Sequence, residues 1–327
     1  MKKLLLAVTG LFCSLYAAGQ SRGDISQFSL FQQYYNPSLT GNYGSAIKSF
    51  YRNQWTGFED APKTIFVSGE LSFADLKGRG MPGNRRRNGS GFNPGSSGAL
   101  GLSVLHKSFG PYGETQAFLS YGSAIRLSEG LNLRWGTALV YESNSLDGSK
   151  LNVAGDDPKY QHLLGQNNRK SKVDLNLGIA LTSSDFYVAY ALQDVTKGGI
   201  ISSGDAFLED SYSRKHMVQA GYRTNLSDQF GIVVNSLLVL DKLQKKTIEG
   251  QVKGVYKNML WAGAGYRNDL AYNLTAGVKW EQLLIGYAYE MPAGDGSDIP
   301  NNTNEIVLSY QFSSSFGNGR GNRITIW

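Results

Sequence analysis

Apolar and polar side chains alternate with a period of two through most of this chain. Residues 173–182 show the pattern clearly, since valine, leucine and isoleucine occupy the odd positions while aspartate, asparagine, glycine, alanine and threonine occupy the even ones. A β-strand points successive side chains to opposite faces, so the pattern predicts strands with one apolar face and one polar or small face. The same alternation recurs over 116–127, 131–142, 247–256 and 305–312.

Turn-forming residues divide the alternation into about fourteen strands, an even number that is typical of bacterial outer-membrane barrels. The predicted strands begin near residues 45, 63, 98, 112, 131, 172, 185, 214, 229, 245, 259, 270, 281 and 303. The chain is therefore expected to be all-β.

Two architectures can use such strands: a soluble sandwich that hides the apolar faces in a core, or a membrane barrel that turns them to lipid. The opposite face carries charges of both signs, at Glu70, Arg126, Arg134, Asp174, Arg223, Glu249, Lys253, Lys279 and Glu290. Tyrosines follow small residues at Tyr121, Tyr222, Tyr266, Tyr287 and Tyr310, as in the aromatic girdles of barrels. These features favour a transmembrane antiparallel up-and-down β-barrel over residues 45–312.

The connections between strands predict the orientation of the barrel. Tight turns follow even-numbered strands and are expected at the periplasmic rim, whereas the longer connections 148–171, 196–213 and 292–302 are expected outside. The insert 76–97 follows the second strand, so its arginines Arg85, Arg86 and Arg87 are expected on the periplasmic side. This insert is either a solvated loop or a docking site for an acidic periplasmic partner.

Both ends of the chain lie outside the predicted barrel. Residues 1–19 have the basic start, apolar centre and small-residue end of a cleaved signal peptide, which contains the single cysteine, Cys13. Residues 313–327 form a tail beyond the last strand. Barrel assembly usually reads an aromatic residue at the end of the last strand; Phe312 and Trp327 are both candidates, and Phe312 is preferred because it closes an alternating run.

Residues 20–44 are expected to form a periplasmic or plug segment. Asp24 and Gln27 have the spacing of a capping box. Apolar side chains from Ile25 to Tyr35 then lie near one face of a short helix, which Asn36-Pro37 ends. Such a helix needs a surface to cover, so it is predicted to pack in or below the lumen as a partial plug.

Candidate chemistry is sparse. The chain has 327 residues and a formal net charge of +6, which is expected to fall to +4 when Lys2 and Lys3 leave with the signal peptide (30 − 26). That charge is too mild to argue for nucleic acid binding. Its histidines, His106, His162 and His216, lie in no zinc-binding spacing, and no Gly-x-Ser-x-Gly elbow is present. The sequence therefore predicts no enzyme, metal site or cofactor.

One block of sequence resembles a known family. Asn36-Pro37 with Gly41, followed by Arg-Asn-Gln-Trp-Thr-Gly-Phe-Glu-Asp-Ala-Pro-Lys-Thr over 52–64, resembles the PorP/SprF family of the Bacteroidetes type IX secretion system. Residues 284–290 and 304–312 resemble the last two strands of that family. The basic insert and the tail depart from the family pattern.

The resemblance implies an integral outer-membrane barrel of a Gram-negative bacterium, in contact with membrane lipid and without enzymatic activity. It implies partners among periplasmic ring proteins like PorK and PorN, a peptidoglycan-binding protein like PorE, and secreted cargo such as large adhesins, whose secretion or surface attachment the protein would serve. The alternative from the residues alone is a passive porin or uptake channel.

The block over 52–64 also supplies the candidate site. Arg52 and Gln54 fall on the lumen side of the first strand, and Trp55 is placed at the membrane interface. Gly57 and Pro62 are expected to shape the first outer loop. Partner contact and ordinary lumen packing both remain open for these residues.

Overall fold

The structure, a computed structural model, describes residues 25–79, 98–147, 150, 169–203, 213–241, 246–294, 301–312 and 324–327. Its strands are β1 (Ala46–Asn53), β2 (Lys63–Ser72), β3 (Ala99–Phe109), β4 (Tyr112–Ser128), β5 (Leu131–Leu146), β6 (Arg169–Ser183), β7 (Phe186–Gln193), β8 (Ile201–Ser203), β9 (Lys215–Asn225), β10 (Phe230–Asp241), β11 (Thr247–Tyr256), β12 (Leu260–Arg267), β13 (Ala271–Trp280), β14 (Leu283–Pro292) and β15 (Thr303–Gln311).

These strands form a closed antiparallel barrel. Neighbouring strands pair in sequence order, and β15 pairs with β1 from Ala46 opposite Gln311 to Asn53 opposite Asn304. The short strand β8 pairs with the first part of β6, beyond the part that pairs with β7, so it extends the β7 position and the barrel has fourteen strand positions. Closure leaves no free sheet edge. The predicted barrel is confirmed.

The positions of the strands agree closely with the alternation in the sequence. Each predicted start lies within three residues of an observed one. One strand was not predicted: β8 lies within the connection expected over 196–213. Its three residues are too few to show an alternating pattern.

The apolar faces of the strands point outward. In β6 the side chain of Leu177 is 43% exposed, whereas that of Asp174 is fully buried. The other strands repeat this arrangement over most of their length, with charged, polar and small side chains inside and large apolar ones outside, although a few large apolar side chains such as Phe50 and Phe66 are buried inside as well. A soluble sandwich would show the reverse, so that alternative is wrong and the barrel faces lipid.

The barrel has two different edges. The turn edge carries the short connections 129–130, 184–185, 226–229, 257–259 and 281–282. The loop edge carries the opposite strand ends, including those beside 54–62. The connection between β2 and β3 begins at the turn edge with a helix, Phe73–Arg79, where the carboxylate of Asp75 accepts a hydrogen bond from the backbone nitrogen of Ser45 at 2.7 Å.

The remaining helices of the described residues lie inside the barrel, before β1. They are a 3-10 turn over Phe28–Leu30, an α-helical turn over Gln32–Tyr35 and a 3-10 turn over Pro37–Leu39. None of the helices in this described part of the chain has the length and apolar character needed to cross a membrane.

Candidate functional site

The candidate site is the interior of the barrel, where residues 25–44, here called the plug segment, lie against the inner wall. The prediction of a single helix in this segment is wrong, because its three helical turns are separate and Gln27 provides no side-chain cap to the first. Asp24, the first residue of the expected capping box, lies outside the described residues. Ile25, Phe28 and Phe31 are nevertheless fully buried.

Near the loop edge, five buried charged side chains form an ionic network. Arg52 pairs with Glu290 at 2.8 Å and with Glu305 at 3.3 Å. Arg267 pairs with Glu249 at 3.0 Å and with Glu290 at 3.2 Å. Buried charges are costly unless they are paired and hydrogen-bonded, and each member of this network has an opposite charge beside it.

The ionic network also binds the backbone of the plug segment. The carboxylate of Glu305 accepts hydrogen bonds from the backbone nitrogens of Ser26 at 2.9 Å and Gln27 at 3.0 Å. The Ser26 hydroxyl donates to Glu290 at 2.8 Å. At membrane depth, irregular backbone is tolerated only where protein or water satisfies its polar groups. The wall therefore replaces the hydrogen bonds that a regular helix would have made.

A layer of aromatic rings lies in the middle of the barrel. Phe31 of the plug segment meets Phe50 of β1 with ring centroids 5.0 Å apart and Phe66 of β2 at 5.5 Å, both edge to face. Tyr34 meets Phe118 of β4 at 5.5 Å in the same geometry. Edge-to-face pairs add to the stabilisation that burial provides, so this layer fixes the plug segment laterally.

Three glycines of the inner wall make room for the plug segment. Gly122, Gly136 and Gly178 are direct cross-strand neighbours on β4, β5 and β6. A Cβ atom on Gly136 would come within 2.6 Å of the backbone nitrogen of Ser38, and one on Gly122 within 2.9 Å of the carbonyl oxygen of Thr40. The chain from Asn36 to Thr40 therefore lies directly on the backbone of the wall.

Arg134, beside this glycine row, binds the same stretch of the plug segment. Its guanidinium donates to the carbonyl oxygens of Ser38 at 2.7 Å and Thr40 at 2.8 Å.

Further along the plug segment, desolvation raises the pKa of Tyr43 to about 12, although Arg223 acts in the opposite direction. The phenol therefore keeps its proton and donates to Gln32 at 3.3 Å.

A substitution tests the close approach at the glycine row. Gly136→Val should lower the free energy of unfolding by about 1–3 kcal/mol, because a branched side chain must displace the backbone of Pro37 or distort β5. The measurement is guanidinium unfolding in lipid vesicles, followed by tryptophan fluorescence. The matched control is Gly250→Val, where a Cβ has nothing within 4 Å, and its effect should stay within about 0.5 kcal/mol. Equal losses would contradict the approach.

Residues 324–327, here called the tail segment, also lie inside the barrel. The ring of Trp327 meets that of Tyr187 edge to face at 5.0 Å, and the guanidinium carbon of Arg223 lies 4.1 Å from its centroid. Trp327 is 3% exposed, whereas Phe312 is 40% exposed just after β15. Phe312 is thus the aromatic residue on the outer face, and which of the two acts in assembly stays a prediction.

On another part of the inner wall, a charge cluster holds the turn after β7. The carboxylate of Asp194 pairs with Lys172 at 2.7 Å and with Lys215 at 3.1 Å. Burial alone would raise the pKa of Asp194, but Lys215 and Lys172 together lower it, so the carboxylate stays ionised. Asp174 accepts a hydrogen bond from the backbone nitrogen of Thr196 at 2.9 Å.

Among the predicted site residues, only Arg52 belongs to the ionic network. Gln54 lies just beyond β1, where its backbone nitrogen donates to the carbonyl oxygen of Pro62 at 2.9 Å and closes the first loop. Trp55 and Gly57 lie in that loop, both with positive φ, at 50° and 98°. Arg85, Arg86 and Arg87 lie outside the described residues.

The structure brings several residues into the site that the sequence did not single out for it. These are Ser26, the glycine row and Trp327. Ser26 and Glu305 are 279 positions apart, so their hydrogen bond leaves no local signal. Gly122, Gly136 and Gly178 do lie on the inward, polar or small face of their strands in the sequence pattern. Inward glycines on three neighbouring strands could therefore have indicated a close approach of another segment.

The histidines within the described residues are engaged with neighbours on the same sheet. His106 lies 2.9 Å from the hydroxyl of Thr115, and His216 lies 2.8 Å from that of Tyr190. Over the part of the chain that the structure describes, no group of three His, Cys, Asp or Glu side chains could hold a metal ion. His162 lies outside it.

The chain is similar to known proteins both in sequence and in fold. The family described as type IX secretion system membrane protein PorP/SprF matches residues 17–310. No curated protein matches the sequence significantly. Similar solved structures include Omp33 of Acinetobacter baumannii, at 9% identity and a TM-score of 0.46, covering 82% of this chain and 98% of that one. The CymD monoaromatic hydrocarbon channel is similar at 12% identity and a TM-score of 0.48, covering 90% and 93%.

Proposed function

Because the chain belongs to the PorP/SprF family of type IX secretion system membrane proteins, we propose that it is a non-enzymatic component of protein secretion that acts through contacts at the two edges of its barrel. At the turn edge, in the periplasm, the partners are ring proteins like PorK and PorN and a peptidoglycan-binding protein like PorE. At the loop edge the partner is secreted cargo, such as a large adhesin, whose secretion or surface attachment the barrel serves.

The observation that carries this proposal is the occupied lumen. The plug segment is bound by paired charges near the loop edge, by aromatic rings in the middle and by backbone contact at the glycine row. A passive porin needs a continuous aqueous path, and in a barrel of this size side chains and an inserted segment can fill the interior. An occupied lumen favours a role in contacts over a role in diffusion.

The loop over 54–62 is the proposed contact with cargo. It is fixed to its neighbours, since the backbone nitrogen of Thr56 donates to the carbonyl oxygen of Asn302 at 2.9 Å and that of Gly110 donates to Asp60 at 3.1 Å. Phe58 is 59% exposed on this fixed loop. An exposed aromatic side chain on a rigid support suits a protein contact.

The insert with Arg85, Arg86 and Arg87 is the proposed contact with the periplasmic machinery. Its first residues, 76–79, belong to the helix Phe73–Arg79 at the turn edge, which Asp75 ties to the start of β1. Three consecutive arginines attract an acidic surface, and a contact of this kind weakens as salt rises.

The test is crosslinking in intact envelopes, followed by identification of the attached proteins. Phe58→Ser should reduce crosslinking to cargo severalfold and leave the periplasmic partners attached. Replacement of Arg85, Arg86 and Arg87 by glutamine should do the opposite, so each variant is the control for the other. If neither class of partner is captured and the purified barrel forms steady open channels, the chain is instead a porin or uptake channel.

A further inference from the structure

The tail segment lies inside a barrel that β1 and β15 close without it. We propose that the inner wall around Trp327 is a binding site for the tail segment, and that the bound tail holds the plug segment in the lumen. The inference rests on the plug role in the proposed function and adds a device that retains the plug. Its elements are an aromatic pocket, one shared lysine and a contact at the turn edge.

The aromatic pocket has the geometry of a recognition site for an indole ring. Arg223 lies on β9, and its guanidinium carbon is 4.1 Å from the ring centroid of Trp327. Tyr187 of β7 contacts the ring edge to face at 5.0 Å. Cations over the face of tryptophan give the strongest interactions of this type, particularly where water is excluded. The buried indole is therefore the main anchor of the tail segment.

A single lysine connects the tail segment to the plug segment. The ammonium of Lys253, which is fully buried on β11, donates to the carbonyl oxygen of Trp327 at 2.8 Å and to the hydroxyl of Ser29 at 2.6 Å. Ser29 in turn donates to the same carbonyl oxygen at 3.1 Å. Wall, plug and tail thus share one hydrogen-bonded group, so loss of the tail removes an acceptor from both other members.

The other contacts of the tail segment place it at the turn edge. The backbone nitrogen of Thr325 donates to the side chain of Asn258 at 2.8 Å, and Lys279 donates to the hydroxyl of Thr325 at 2.9 Å. Ile324 packs on Gly231, where a Cβ atom would collide with it. Asn258 belongs to the connection between β11 and β12, so the tail segment enters the lumen from the turn edge.

The tail segment is bound like a peptide ligand and not like a strand. Residues 324–327 carry no strand pairing, and β15 pairs with β1 from Asn304 to Gln311 without them. Their contacts are to side chains of the wall and of the plug segment. We therefore expect the barrel to fold without the tail segment and to bind it when it is supplied separately.

The experiment compares the full chain with a chain that ends at residue 323, both in planar lipid bilayers. The full chain should be closed for most of the recording, and the shortened chain should open at least tenfold more often. A synthetic peptide of residues 322–327, added from the turn-edge side, should close the shortened chain again. The same peptide with alanine in place of Trp327 should not.

Binding of the peptide is measured independently by fluorescence anisotropy on the shortened chain. Lys253→Met should weaken binding about tenfold or more, because a charge-assisted hydrogen bond is lost. Lys63→Met is the matched control, since Lys63 is exposed at the start of β2 near the loop edge, away from the tail segment, and it should leave binding unchanged. Heat-modified migration in gels verifies that each variant barrel is folded.

The outcomes separate this inference from the proposed function. A shortened chain as closed as the full chain, or a folded shortened chain that does not bind the peptide, would overturn the role of the tail segment. If the full chain itself conducts steadily, the plug role fails, and with it the holding of the plug, whatever the peptide does. Closure by both peptides alike would show that the indole is not the anchor.

Discussion

Replacing Arg52 with alanine should lower the free energy of unfolding by about 3–5 kcal/mol, the largest loss we expect from any single truncation in this barrel. The substitution leaves the carboxylate of Glu305 buried without its only ion-pairing partner among the described residues. Glu290 keeps Arg267 at 3.2 Å, so the loss falls mainly on Glu305 and on the plug backbone that it binds. Guanidinium unfolding in lipid vesicles, followed by tryptophan fluorescence, gives the value.

Two further variants define the cause of this loss. Lys63→Ala removes an exposed cation on the strand paired with β1, and its effect should stay within about 0.5 kcal/mol. Adding Glu305→Gln to Arg52→Ala should recover part of the lost stability, because the amide oxygen still accepts a backbone hydrogen bond while the unpaired charge is gone. A double variant less stable than Arg52→Ala would show that the orphaned charge is not the reason.

The fold could be predicted because the signal for it is local. Alternation within about ten residues is enough to predict each strand, and the apolar side of a strand faces lipid at every position in the barrel. Leu177 and Asp174 could therefore be assigned to opposite faces without knowing which strands are neighbours. Even the orientation of Arg52 toward the lumen follows from its position in β1.

The contents of the lumen could not be predicted in the same way, because they depend on contacts between distant parts of the chain. Ser26 meets Glu305 across 279 positions of the chain, and Ser29 meets Trp327 across 298. The expected helix over the plug segment became three short turns since Glu305 and Arg134 satisfy backbone groups that a helix would have satisfied itself. The helical periodicity of the plug segment therefore predicted correctly which side chains are buried, but it predicted one helix where the backbone forms three short turns.

Charge placement in the lumen has one physical logic. Near the loop edge, carboxylates accept hydrogen bonds from backbone nitrogens of the plug segment, as Glu305 does from Gln27. Closer to the turn edge, cations donate to backbone oxygens, as Arg134 does to Thr40 and Lys253 to Trp327, and a carboxylate, Glu70, accepts from the backbone nitrogen of Gly41 at 2.7 Å. The charges of the wall thus satisfy peptide groups of the inserted segments at both ends of the lumen, and side chains of the plug segment add contacts through their rings and through the hydroxyls of Ser26 and Ser29.

The lipid-facing side is tested by Leu177→Arg, which should cost about 2–4 kcal/mol of unfolding free energy. Leu177 lies at the middle of β6, and its exposed side chain contacts the hydrocarbon core in this orientation of the barrel. An arginine there must pull its guanidinium toward an interface or admit water into the membrane. Guanidinium unfolding in vesicles of fixed lipid composition measures the loss.

A second substitution at a different depth in the membrane distinguishes the cost of burying arginine in lipid from a cost that arginine would have anywhere on the barrel. Leu226→Arg makes the same chemical change at the turn edge, where the guanidinium reaches water, and it should cost no more than about 1 kcal/mol. Because both leucines are exposed on the barrel, a soluble protein would tolerate both substitutions almost equally. Similar small losses at the two positions would therefore contradict insertion in lipid, and similar large losses would mean that the connection after β9 lies deeper than its place at the turn edge indicates.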